Sequence, residues 1–155
     1  PYLTAKKVIS GIVCFRGDFS YKIEKQKDTN KLIGLSNAWH HHKSSVRIGW
    51  RWNEKENGLD IMVIIYDNYK RTINKLCFIP EEALVVNRFR RKTFCFSIAF
   101  DKAYFNENDI CTVCFNDVLM SFEISRYRFI RYKLFPYFGG TTKAPFDFYF
   151  NFKFF

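Results

Sequence analysis

The sequence predicts an all-β fold, an antiparallel two-sheet β-sandwich or jelly roll with at most one short helix, and three observations carry that prediction. About ten short strand-like runs recur at roughly 10–12 residue spacing with turn residues between them. Several runs alternate apolar and polar residues with the period of two that a half-buried strand requires. Only residues 80–84 (PEEAL) carry helical signals, a proline at a first helical position with acids in the first turn, enough for one or two turns. The chain has 155 residues without an internal repeat or a composition break, so residues 1–155 are expected to form one domain around one core.

The elements follow in order. Residues 8–15 (VISGIVCF) form a β-branched run interrupted by Gly11. Arg16-Gly17-Asp18 spells an adhesion tripeptide and reads as a hairpin turn into a strand over residues 19–24, with Phe19, Tyr21 and Ile23 on one face. Residues 25–31 are polar and predict a loop. Residues 30–52 (NKLIGLSNAWHHHKSSVRIGWRW) gather all three histidines with Trp39, Trp50 and Trp52. From position 46, Val46, Ile48, Trp50 and Trp52 fall on one side and Arg47, Gly49 and Arg51 on the other, the pattern of a half-buried strand with a basic outer face. Asn57-Gly58 is the strongest short hairpin signal and turns that strand back into residues 59–66. The continuous apolar run 61–65 predicts a central strand covered on both faces. A turn at 67–71 leads to a strand over 72–79, and residues 84–90 and 93–100 read as strands, the second with Phe94, Phe96, Ile98 and Phe100 together. Residues 101–109 predict a loop, and 110–115 with 118–124 a hairpin through Asn116-Asp117. Residues 127–134 mix bases and rings, and residues 135–145 form a loop containing Gly139-Gly140. In the last strand Phe146, Phe148, Phe150, Phe152 and Phe154 share a face, which predicts a strand crossing the middle of a sheet.

Composition narrows the partners. A formal charge of +10 and a pI near 9.5 exceed what solubility needs and favour nucleic acid, an anionic polysaccharide, an acidic membrane surface or an acidic protein patch. Aromatic residues make up 20% of the chain, 19 of them Phe, more than a core of this size requires, so some rings are expected at the surface. Five cysteines, Cys14, Cys77, Cys95, Cys111 and Cys114, are an odd number at irregular spacing, and most lie in apolar runs. With no N-x-S/T sequon, signal peptide or transmembrane run, this points to a reducing, cytoplasmic compartment.

Two segments carry a likeness. Asn30-Lys31-Leu32-Ile33-Gly34, His41-His42-Lys43, Ser45, Arg47 and Gly49-Trp50, with Tyr137-Phe138-Gly139-Gly140 and Ala144-Pro145, resemble small uncharacterised bacterial and phage proteins. The resemblance implies a concanavalin-like β-sandwich and no assigned catalytic residue. Members often have a histidine after the Ala-Pro pair, where this chain has Phe146.

The chemistry-bearing residues are few. His40 and His42 would share a face of an extended segment, but no acid stands near them and Lys43 is adjacent, a poor metal site. Cys111 and Cys114 have half a zinc-ribbon spacing without a second pair, and in a strand they point to opposite faces. Asp60, Asp67 and Glu123 stand singly, and Ser44-Ser45 beside the histidines is adjacency and not a triad. No catalytic residue, metal or cofactor is expected. The informative pattern is bases interleaved with rings: Arg88, Arg90, Arg91 and Lys92; Arg126, Arg128, Arg131 and Lys133; and Lys43, Arg47 and Arg51, with Trp39, His40 and His42. Such strips either protect edge strands by charge or hold phosphates while rings stack on bases. Three strips together point to a non-enzymatic protein that binds nucleic acid or a ribonucleoprotein, and a phage-encoded inhibitor of a host defence nuclease fits the size and charge. The alternative is a carbohydrate-binding protein or lyase acting on an acidic glycan, with Trp39, Trp50 and Trp52 stacking on sugars and arginines holding carboxylates. A third reading is a subunit whose rings and bases meet a protein partner with an acidic surface.

Overall fold

Two antiparallel sheets face each other across a shared apolar core in the computed structural model, which describes residues 3–4, 8–16, 29–84, 92–102, 107–127, 131–138, 144 and 149–155. The described elements are β1 (Leu3–Thr4), β2 (Val8–Arg16), β3 (Asn30–Ser36), β4 (Ser44–Asn53), β5 (Gly58–Asp67), β6 (Lys70–Pro80), α1 (Glu81–Leu84), β7 (Thr93–Lys102), β8 (Asn108–Phe115), β9 (Val118–Ser125), β10 (Arg131–Leu134) and β11 (Tyr149–Phe154). The six-stranded sheet runs β1-β10-β3-β4-β5-β6 and the five-stranded sheet β11-β2-β7-β8-β9. The all-β sandwich expected from the alternation is therefore what the chain forms. The one helix among the described residues is a single turn, starting directly after Pro80.

Turn chemistry sets the register. Asn57 has φ 51° and hands the chain to Gly58, as the Asn-Gly pair predicts. Asn68 and Tyr69 (φ 48° and 66°) close β5–β6, and Asn116 and Asp117 (φ 46° and 70°) close β8–β9, both with the left-handed pair that matches strand twist. The β4–β5 register places Val46, Ile48, Trp50 and Trp52 opposite Ile65, Val63, Ile61 and Leu59, all facing the core or packed against it. Phe94, Phe96, Ile98 and Phe100 enter the same core from β7, as their alternation requires. Trp50 is 1% exposed and Trp52 is partly buried against the core, so of the three tryptophans only Trp39 is exposed.

Three expectations are corrected. The last strand does not cross the middle of a sheet: among the described residues β11 is an edge strand, paired with β2 alone. Phe150 and Phe152 pack partly buried on the core and Phe154 is 37% exposed, so the phenylalanine face covers the rim of the sandwich rather than its centre. Phe146 and Phe148 lie outside the described residues, as do the expected strand at 19–24 and most of the one at 84–90, whose first residue, Leu84, ends α1. Asn30 and Lys31 belong to β3, not to a loop, because their backbone pairs with Trp50 and Gly49. Third, β4 has no solvated basic face at its centre, since Val46 to Trp50 are all buried.

Phe150→Ala measures the rim. The ring meets Phe15 edge-on at 5.7 Å and Trp50 at 6.1 Å, so the loss should be about 2–3 kcal/mol, below the cost of a fully buried phenylalanine. Chemical denaturation giving a change under about 0.5 kcal/mol would mean that the ring makes no such contacts.

Candidate nucleic-acid interface

One end of the sandwich collects most of the polar and aromatic residues singled out above. Four segments meet there: the β3–β4 connection (residues 37–43), the β5–β6 turn, the residues after β9, and the start of β10. The β3–β4 connection is fixed by its own hydrogen bonds. Asn37 N–H donates to the Ser44 carbonyl (3.0 Å), Lys43 N–H to the His40 carbonyl (2.8 Å), the Ser36 hydroxyl to the Ala38 carbonyl (2.7 Å) and the Ser45 hydroxyl to the His41 carbonyl (2.6 Å). Tyr132 of β10 donates its phenol to the Trp39 carbonyl at 3.1 Å. Serine hydroxyls and main-chain bonds thus hold the loop's backbone, with Trp39, His40 and His42 exposed.

Those rings form a continuous set. His40 and His41 stack at 5.4 Å, His41 meets His42 edge-on at 4.3 Å, and His42 stacks on Tyr66 of β5 at 4.8 Å. Tyr69, 65% exposed and held in the left-handed region, lies 6.1 Å from His40, while Trp39 is 77% exposed. Lys43 sets its ammonium 4.9 Å from the Tyr127 ring centroid, and the Tyr127 phenol donates to the Asn68 amide oxygen. Asn68 in turn donates to the Ser125 hydroxyl at 3.0 Å, tying the β5–β6 turn to the end of β9.

The field at this end is positive. Burial first, then Arg47, then the neighbouring imidazoles lower the His41 pKa from 6.5 to about 4. Burial likewise lowers His42, helped by His40, Arg47, Lys31 and Arg71. Both imidazoles are therefore neutral near pH 7 and act as hydrogen-bonding rings with apolar faces. The pH dependence follows in sign. Between pH 6.5 and about 4 the unfolded chain takes up a proton at this histidine that the fold does not, so stability falls as pH drops through that window and is level above it. Thermal melts over this range should show the loss, and His41→Asn should flatten it; an unchanged slope in the variant would assign the effect elsewhere.

Trp39, His40, His42, Lys43, Arg47 and Arg126 come together here. Arg126 is committed to structure, its Nε donating to buried Asp109 at 2.7 Å and its guanidinium to the Asn108 carbonyl at 2.9 Å. Lys133 turns across the rim, its ammonium 4.2 Å from the Phe154 ring centroid, and the Arg131 backbone pairs with Thr4. Arg51 and Lys92 sit toward the opposite end. Lys92 lies over Phe94 at 5.8 Å, and Arg51 donates to Asp60 at 3.2 Å. Burial works against the Asp60 carboxylate, but hydrogen bonds from Lys75, Asn53 and Arg51 outweigh it and hold its pKa below the usual range. Arg88, Arg90, Arg91 and Arg128 lie outside the described residues. The described members of the three strips thus do not form one face. Sequence reading missed Tyr66 and Tyr69, of which only Tyr69, beside Asn68 in a turn, carried a local signal. Tyr127 and Tyr132 belonged to its basic-aromatic run over residues 126–133, but their meeting with the histidine loop did not show there.

Among the described residues no group of three or more His, Cys, Asp or Glu is placed to hold a metal ion. Cys111 is buried and Cys114 half-buried on opposite faces of β8, and burial pushes the Cys111 thiol well up and that of Cys77 to about 11, so neither is a thiolate at neutral pH. No helix among the described residues is long and apolar enough to cross a membrane. No family model, no curated protein and no solved structure matches this chain.

Proposed function

We propose that the chain is a non-enzymatic binding protein that engages single-stranded nucleic acid, alone or within a nucleoprotein complex, through its histidine-bearing end. The observation that carries this reading is the exposure of Trp39 and Tyr69 at the end of the sandwich where Tyr69 meets His40, Lys43 lies over Tyr127, and Arg47, Lys31 and Arg71 set a positive field at His42. Exposed rings stack on unpaired bases without regard to sequence, and nearby cations take the phosphates. An inhibitor of a defence nuclease is a special case in which the nucleic acid belongs to the partner.

The test is fluorescence anisotropy of nucleic-acid-free protein with mixed-sequence RNA, single-stranded DNA and duplex DNA at two salt concentrations. Binding to single strands that weakens steeply with salt is expected, since each phosphate contact releases counterions. Trp39→Ala with Tyr69→Ala should weaken it by about 1–3 kcal/mol per stacked base while leaving the melting temperature nearly unchanged, because both rings are exposed. Absence of binding at low salt overturns the reading, and salt-insensitive binding to an acidic glycan would replace it.

A further inference from the structure

Arg47 is the residue that the fold leaves unexplained. It stands at the centre of the six-stranded sheet on the face away from the main core, opposite Gly34 on β3 and Ile64 on β5, and it is 9% exposed. Its Nε is buried without a hydrogen-bond partner, and among the described residues no carboxylate pairs with its guanidinium. A buried charge without a counter-ion or hydrogen bonds costs several kcal/mol, so such groups are found where something else completes them. The surroundings make an acidic side chain a poor candidate for that role: His41, His42, Tyr66 and Tyr132 are the neighbours whose charge states Arg47 feels or influences. Lys31 and Arg71 add to the positive field at His42. The chain also makes room for this side chain. A Cβ on Gly34 would lie 2.6 Å from the Arg47 Cγ, so the glycine is what lets the arginine stem cross β3.

The geometry points to a site for one phosphate-class oxyanion on the buried guanidinium of Arg47, flanked by the imidazoles of His41 and His42 and the phenols of Tyr66 and Tyr132. A guanidinium presents paired N–H groups that match two oxygens of such an anion, and a water-poor setting strengthens the bond. Imidazole and phenol supply neutral donors around it. A carboxylate fits the fork equally well, but the inference rests on the nucleic-acid reading above, in which the oxyanion is a backbone phosphodiester whose bases stack on the exposed rings at the same end of the sandwich. Free inorganic phosphate shares the chemistry, and the experiment separates the two sources.

The experiment follows the Nε–H resonance of Arg47 in nitrogen-15-labelled full-length chain, assigned by its disappearance in Arg47→Lys. Inorganic phosphate is titrated against chloride at constant ionic strength, and an oligothymidylate is titrated in parallel. A saturable shift of this resonance with both ligands is the expected result, with Arg47→Lys, which keeps the charge and loses the fork, weakening oligonucleotide binding about tenfold or more. The titrations use the unmodified chain, so the outcome stands even if the variant folds poorly. No shift with either ligand overturns the site. Oligonucleotide binding that leaves the resonance in place overturns it while the nucleic-acid reading survives. A shift with phosphate but no binding of the oligonucleotide supports the site and overturns the nucleic-acid reading.

Discussion

Trp50→Ala should destabilise the fold by about 3–5 kcal/mol, the cost of truncating a buried tryptophan. Its indole is 1% exposed on β4, opposite Ile61 of β5 and 6.1 Å from the Phe150 ring. At about 2–4 °C per kcal/mol for a domain of this size, the melting temperature should drop by about 6–20 °C. The same change at Trp39, eleven positions earlier in the sequence and 77% exposed, should leave stability within about 0.5 kcal/mol and act on binding alone. Calorimetry on the two variants side by side checks the division of labour. A Trp50 variant melting within about 2 °C of the parent would show that this ring is not in the core.

Gly34→Ala should destabilise by about 1–3 kcal/mol, although adding one methyl to a glycine in an unstrained strand would otherwise stabilise by about 0.4–1 kcal/mol through the unfolded chain. Space decides the sign. The new carbon would fall 2.6 Å from the Arg47 Cγ and 2.8 Å from the Val46 carbonyl oxygen, and the second is backbone held in the β3–β4 ladder and cannot move away alone. Arg47 would be displaced from the ground beneath His41 and His42, so the variant should also shift the ring resonances of these histidines. Urea denaturation reads the first effect and proton NMR the second. A variant as stable as the parent, with unmoved histidine signals, would mean that the arginine takes another path.

The burial of Arg47 shows how the sequence could mislead. Read alone, residues 46–52 alternate as a half-buried strand should, and the arginines fall on the outer side. The register puts Arg47 opposite Ile64 and Gly49 opposite Met62, and both partners are buried. The unbroken apolar run 61–65 had already implied a strand covered on both faces. Cover over β5 extends to its neighbour β4, and that consequence appears only once the two strands are paired. Arg51 departs from the expectation for a different reason: three residues from two strands, Arg51, Asn53 and Lys75, converge on Asp60, and nothing local to any of them announces it.

The last strand teaches the same lesson from the other side. Alternating phenylalanines specify which face of β11 is apolar, and Phe150 and Phe152 do turn toward the core. Position within a sheet is a separate property, set by which other strands pair with it. Edge placement against β2 leaves Phe154 partly open, with the Lys133 ammonium above its ring.

The sequence by itself determined the all-β class, the hairpins at Asn57-Gly58 and Asn116-Asp117, the inward faces of β4 and β7, and the cover on both faces of β5. These depend on side-chain period and on backbone preferences within a few residues, which are local. The tertiary structure decided strand order, the cover over Arg47 and the meeting of the histidine loop with Tyr66, Tyr69, Tyr127 and Tyr132. Those depend on pairings between residues far apart in sequence, as between Gly11 and Phe154 in the sheet or Trp39 and Tyr132 at the loop, which no local pattern encodes.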